Sequence, residues 1–210
     1  AEKAKWEVPA LRWADLTEEG GNSDDYGVSL LNDCKYGYDA QPSQLRLSLL
    51  RSPEWPNPEA DKGSHEFSYG FYPHTGSWEK AQTVKRGYEF NQPLKAVLGE
   101  NNICENNFFE NKQQTQTLKE KASFMNISGD SAENLILMAF KQAEDNPQQW
   151  ILRCYESNGE NEEFQLTSEL GLNVKEHVDL LERPLPNSEN SSESTFTIKP
   201  WKIASFTVNS

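Results

Sequence analysis

The feature that most constrains this chain is a repeated period of two. In QLRLSLLR (44–51), Leu45, Leu47 and Leu49 fall on one face and Arg46 and Ser48 on the other. In HEFSYGFY (65–72), Phe67, Tyr69 and Phe71 share a face, and the pattern returns in NLILMAFK (134–141), QWILRCYE (149–156), EEFQLTSEL (162–170), STFTIK (194–199) and WKIASFTV (201–208). Turn-forming residues separate these runs, as in Glu-Asp-Asn-Pro (144–147), Ser-Asn-Gly-Glu (157–160) and Pro-Leu-Pro-Asn-Ser (184–188). Short alternating segments divided by such residues predict an antiparallel, all-β chain. One stretch departs from this period. GSWEKAQTVKRGYEFNQPL (76–94) places Trp78, Ala81, Val84 and Tyr88 at near-helical spacing, which predicts one helix of two or three turns. Ser77 is its candidate N-cap and Pro93 lies past its end, while Gly87 disfavours it by about 1 kcal/mol relative to Ala.

With 210 residues the chain is one large domain or two small ones. The segment from Glu105 to Asn134 is polar and rich in Gln and Asn, and reads as a loop, one strand near Ala122–Ile127 and a junction. Six strands are expected after it, enough for a small immunoglobulin-like sandwich. The expected division is therefore 1–128 and 129–210, with too few strands in the first part to close a sandwich by itself. Lys and Arg number 20 against 33 Asp and Glu, a net charge of −13. Such a field repels nucleic acids and anionic bilayers, so neither is an expected partner. Six Trp within 11% aromatic residues call for a core to sit in or a sugar to stack on. No apolar run approaches the about 18 residues of a membrane span, and AEKAKWEVPALRW lacks a leader's apolar stretch. Cys34, Cys104 and Cys154 form no C-x-x-C pair, which suits reduced thiols and a cytoplasmic location.

Chemistry-bearing residues concentrate in LLNDCKYGYDAQP (30–42). There an apolar strand, GVSLL, delivers Asn32, Asp33, Lys35, Tyr36, Tyr38 and Asp39 into a turn. Carboxylates, an ammonium, an amide and phenols are what a sugar-hydroxyl site uses. The same residues also suit a plain hairpin in which Asn and Asp bond their own backbone. The excursion at 49–74 carries Pro53, Pro56 and Pro58 and begins at Arg51; its Trp55 reads equally as a sugar platform or a plug. His65, Glu66 and His74 invite a metal reading, but neighbours on a strand point to opposite faces, so no metal site is expected. Nucleophile elbows, phosphate loops and activated cysteines are absent from the sequence, and no catalytic residue can be nominated.

The strings GVSLLNDCKYGYD, LRLSLLRSPEWPNPEAD and HEFSYGFYPHTGSW resemble the C-terminal β region of α-mannosidases of glycoside hydrolase family 38, closest to the cytosolic and bacterial branch. The likeness continues through GYEFNQPL, NLILMAFKQAEDN, WILRCYE and FTIKPWKIASFTV, from about Arg12 onward. The resemblance implies the latter half of a mutarotase-like β-supersandwich followed by a terminal β-sandwich. It implies a parent enzyme that is a retaining, zinc-dependent hydrolase of α-linked mannose. The zinc ligands and aspartate nucleophile of that enzyme lie in an upstream catalytic domain, expected to be absent from this chain. No residue here matches them, so the implied catalytic and metal residues of this chain are none, and its own cofactors none. The implied partners are an α-mannosidase catalytic domain, in the same or a separate chain, and mannose-containing glycans; a homo-oligomer is compatible. Asn32, Asp33, Lys35, Tyr36, Tyr38 and Asp39, with Arg51 at the next strand end, are the implied substrate-binding or interface residues. The alternative reading is a free-standing carbohydrate-binding module using Tyr36 and Trp55. A weaker fold-level analogy with sugar mutarotases points to Glu66 with His65 or His74.

Overall fold

The computed structural model describes residues 7–18, 25–97, 122–130, 132–185 and 195–209. Cys104 and most of the Gln/Asn-rich stretch lie outside the described residues. The chain divides into two compact units, with the division between Pro93 and Leu94. This is earlier than the expected boundary at 128, because the strand Met125–Ser128 is hydrogen-bonded into the second unit, with Ile127 opposite Leu166.

In the first unit every pairing between strands is antiparallel. Strands β1 (Val8–Pro9), β4 (Gly37–Gln41) and β5 (Gln44–Leu47) form one sheet in the order β1-β4-β5. Strands β2 (Trp13–Thr17), β3 (Tyr26–Asn32) and β6 (Tyr69–Thr75) form another in the order β2-β3-β6. The expected strand over 44–51 stops at Leu47, leaving Leu49 and Leu50 exposed at the entrance to the proline-rich excursion.

A single α-helix among the described residues, α1 (Thr83–Asn91), lies against one face of the β2-β3-β6 sheet. It begins later than the Ser77 cap predicts. Ser77, Glu79 and Trp78 accept the amides of Ala81, Gln82 and Thr83 in a separate turn, and Gln82, at φ 54°, breaks that turn from the helix. The residues α1 buries most deeply are small, Thr83 and Gly87. A Cβ on Gly87 would sit 3.0 Å from Cδ1 of Trp13, so the glycine that weakens the helix also lets it close on β2. Around this contact Trp13 packs on Trp78 with ring centroids 5.2 Å apart, and the Arg12 guanidinium lies 4.3 Å from the centre of the Tyr88 ring.

The second unit is a two-layer sandwich. Strands β7 (Met125–Ser128), β10 (Glu162–Ser168) and β12 (Thr195–Ile198) form a sheet in the order β12-β10-β7. Strands β8 (Leu135–Gln142), β9 (Trp150–Glu156), β11 (Asn173–Val178) and β13 (Ile203–Asn209) form the other, ordered β11-β13-β9-β8. Leu152, Cys154, Phe164, Leu166, Val174 and Phe206 pack in one core cluster. Phe196 joins Phe164 and Phe206 there, at centroid separations of 5.6 and 4.7 Å. Burial pushes the Cys154 thiol up to about 12. No helix among the described residues is long and apolar enough to cross a membrane.

Glu156, only 1% exposed, ends β9 with a carboxylate that accepts three backbone amides. They come from Asn158 at 2.7 Å, Gly159 at 2.8 Å and Trp201 at 3.0 Å, so one side chain fastens the turn after β9 to the segment entering β13. A glutamine offers one acceptor oxygen where three donors converge. Glu156→Gln is therefore expected to lower stability by about 1–3 kcal/mol, measured by urea unfolding followed through tryptophan fluorescence.

Candidate functional site

The residues expected to form a site sit where the chain leaves β3 and turns into β4, and they divide by environment. Asn32 and Tyr38 hold the corner. The Asn32 amide donates to the Tyr38 hydroxyl, its Oδ1 accepts the Lys35 amide at 2.9 Å, and its own carbonyl accepts Nδ2 of Asn91 at 2.9 Å. Tyr38 is 1% exposed and donates to the Leu30 carbonyl at 3.3 Å. Burial raises its phenol, against a smaller lowering from Asn32. The side chains of both are spent on the chain itself.

Asp33, Lys35 and Tyr36 lie nearer solvent. Asp33 sits beside the Cys34 thiol and accepts the Ser68 amide at 2.9 Å, and these contacts hold its carboxyl below the usual range. The same pairing raises the Cys34 thiol. The Lys35 ammonium lies 4.9 Å from the centre of the Phe67 ring, and Tyr36 is exposed. Asp39 is turned toward Arg46, directly opposite on β5, and pairs with it. Arg51 is exposed at the mouth of the excursion, where Asp61 Oδ2 accepts its amide at 3.0 Å and that of Ser52 at 2.7 Å. The corner thus gathers Asn32, Asp33, Lys35, Tyr36 and Tyr38, while Asp39 and Arg51 belong to neighbouring structures.

The histidines do not converge. His65 is exposed and bonds the Asp61 carbonyl at 2.9 Å, and Glu66 is exposed. His74 points inward, with Nε2 2.8 Å from Asp15 Oδ1 and Nδ1 3.2 Å from the Gly76 carbonyl. Among the described residues no group of three or more His, Cys, Asp or Glu is placed to hold a metal ion.

Asp15 and its partners escaped the sequence reading. Its carboxylate accepts Thr17 Oγ1 and Ser29 Oγ, the latter at 2.6 Å, and Ser29 Oγ lies 2.9 Å from Thr83 Oγ1 on α1. The His74 and Asp15 side chains are 3% and 6% exposed. The available signal was Asp15 standing inside the short strand WADLT, on the face it shares with Trp13.

Strand register then decides which side chains face away from the helix. Gly27, Ser29 and Leu31 of β3 pair with His74, Tyr72 and Gly70 of β6, on the side against which α1 packs. Tyr26, Val28, Leu30 and Asn32 pair with Thr75, Pro73, Phe71 and Tyr69 on the opposite side. There Phe71 is 72% exposed and Tyr69 50%, their rings meeting edge-on at 6.2 Å. Tyr26 is exposed on the same face. The alternation that predicted this strand put Tyr69 and Phe71 together as expected, yet both rings are left open to solvent, while Leu30 and Asn32 on the same face are buried beside Tyr38.

The Asp33–Cys34 pair yields a direct check. Its carboxylate hydrogen-bonds the thiol and repels the thiolate, so removing the charge favours the thiolate. Asp33→Asn is expected to move the pH profile of Cys34 alkylation to lower pH, read by peptide mapping after iodoacetamide, with Cys154 unreactive in both forms.

Comparison with known proteins follows the same division. The family described as "Glycosyl hydrolases family 38 C-terminal domain" matches residues 1–59, and "Glycosyl hydrolases family 38 C-terminal beta sandwich domain" matches residues 134–206. The second match falls within the sandwich unit. The human protein "Alpha-mannosidase 2C1" is 35% identical over 209 residues, 96% of this chain and 18% of its own length. "Alpha-mannosidase G" of Dictyostelium discoideum is 34% identical over 97% of this chain and 17% of its own. "Alpha-mannosidase" of Saccharomyces cerevisiae is 36% identical over 97% of this chain and 19% of its own. The chain thus spans under one-fifth of the length of these curated relatives. It belongs to glycosyl hydrolase family 38, as that family's C-terminal β region.

Proposed function

We propose that this chain is the non-catalytic C-terminal β module of a retaining, zinc-dependent α-mannosidase, one that releases terminal α-mannose from oligosaccharides in the cytoplasm. The observation that carries this reading is the open aromatic face of β3 and β6. A solvated sheet face is normally polar, and Tyr26, Tyr69, Phe71 and Pro73 are all exposed on this one. Aromatic and apolar groups arranged so are suited to pack against further polypeptide. The relatives supply the candidate: over four-fifths of their length lies outside the matched region, and that portion would hold the nucleophile and the zinc.

Within such an assembly the corner beside β3 would form part of a pocket wall or interface. Lys35 offers a set of donors and Tyr36 a ring and hydroxyl, while Asp33, bonded to the Ser68 amide, would add negative charge beside them. Asn32 and Tyr38 would set the position of all three by fixing the turn. Arg51 would bring a guanidinium from the adjoining excursion. Free thiols at Cys34 and Cys154 accord with a reducing compartment.

Hydrolysis of an aryl α-mannoside tests this reading. The chain alone is expected to give no turnover, with or without added zinc, and turnover is expected once it is combined with the unmatched remainder of the yeast relative. Phe71→Asp should lower the combined activity roughly tenfold or more while changing the stability of the chain by no more than about 0.5 kcal/mol. Turnover by the chain alone would overturn the proposal.

A further inference from the structure

The outer face of the β12-β10-β7 sheet is unlike the open face of the first unit. On β10, Phe164 and Leu166 point into the core, so Glu163, Gln165 and Thr167 point outward and are exposed. Register sets Ser128 of β7 and Thr195 of β12 on either side of Gln165, and Thr197 opposite Glu163. The result is a continuous patch of hydroxyl, amide and carboxyl groups across three strands.

That patch is concave. It floors a groove of about 680 Å³, rimmed by Asp130 and Asn161. Gly129 helps form the rim: a Cβ there would lie 2.6 Å from the Glu163 carbonyl, so only glycine lets this turn press so closely onto β10. The volume falls within the roughly 300–1,000 Å³ typical of small-molecule sites.

The lining restricts the ligand. It contains two carboxyl side chains and no Lys or Arg, which argues against a phosphate or any other anion. A divalent cation needs about six to eight oxygens drawn tightly around it, and a groove this wide across three strands does not converge in that way. No aromatic ring is exposed in the lining, because Phe164 is buried in the core. What remains is an array of hydroxyl and amide groups flanked by two carboxylates, suited to the hydroxyls of an uncharged polyol ring.

We propose that this groove is a binding site for a neutral oligosaccharide, held edge-on by hydrogen bonds from Glu163, Gln165, Thr195 and Thr197. The site lies wholly within the sandwich unit and does not depend on the α-mannosidase reading.

The test is a titration of the ¹⁵N-labelled chain with α-linked mannobiose, maltose and cellobiose, each to tens of millimolar, followed by amide chemical shifts. Calcium chloride forms a separate arm. Saturable shifts confined to β7, β10 and β12 are expected with at least one disaccharide. They should disappear in Glu163→Ala/Gln165→Ala, weaken in the milder Thr197→Val, and persist in Trp55→Ala. Well-dispersed spectra of both groove variants would show that they fold. Silence with all three sugars would overturn the proposal, as would shifts centred on Trp55 and Tyr36. Shifts on the groove strands with calcium alone would replace it with a cation site.

Discussion

A carboxylate withdrawn from water must be met by donors, and in the first unit that requirement falls on Asp15. Thr17 answers from the same strand, Ser29 from β3 and His74 from β6, and Ser29 carries the chain of contacts on to Thr83 of α1. Three strands and the helix are thereby tied to one side chain. Both His74 ring nitrogens face acceptors, Asp15 on one side and the Gly76 carbonyl on the other. Contacts of this kind add little net stability over an apolar core, but once made they disfavour other arrangements, since any slip strands a buried polar group.

From this follows the exposure pattern of the unit. Asp15, Ser29 and His74 share a face, so the network commits that face to α1. Gly87 then allows the approach to be close enough for Trp13 and Trp78 to meet. The alternation of the strands leaves Tyr26, Tyr69 and Phe71 on the other side. On the reading proposed above, the rings exposed on that side, at Tyr26, Tyr69 and Phe71, would pack against further polypeptide. Membership of a family whose α-mannosidase relatives are over five times as long supplies a candidate for that polypeptide.

Much of the architecture was legible in the sequence because it rests on local patterns. The strands at 135–142, 150–156, 162–168 and 203–209 follow alternations plain in the text. β11 was not legible: its two buried valines, Val174 and Val178, are separated by a register shift, so the period of two breaks inside a charged strand. The helix start was misplaced because Gln82 adopts a left-handed conformation that no capping rule foretells at a glutamine. The polar turn after β3 was found, but the sequence could not separate residues that hold it from residues that face outward. Asn32 and Tyr38 are the right types for binding sugar and are buried instead. The Asp15 network joins residues up to 68 positions apart, and only the fold brings them together.

Hydroxyl-radical footprinting of the chain, read residue by residue by mass spectrometry, tests most directly whether the aromatic rings on the side away from α1 are open. Phe71, Tyr69 and Tyr26 should oxidise rapidly while Tyr38 stays protected, and the three should become protected when the chain is joined to the remainder of a family 38 relative. Protection of Phe71 comparable to that of Tyr38 in the chain alone would mean that this face is already covered, and would contradict its role as a surface for docking.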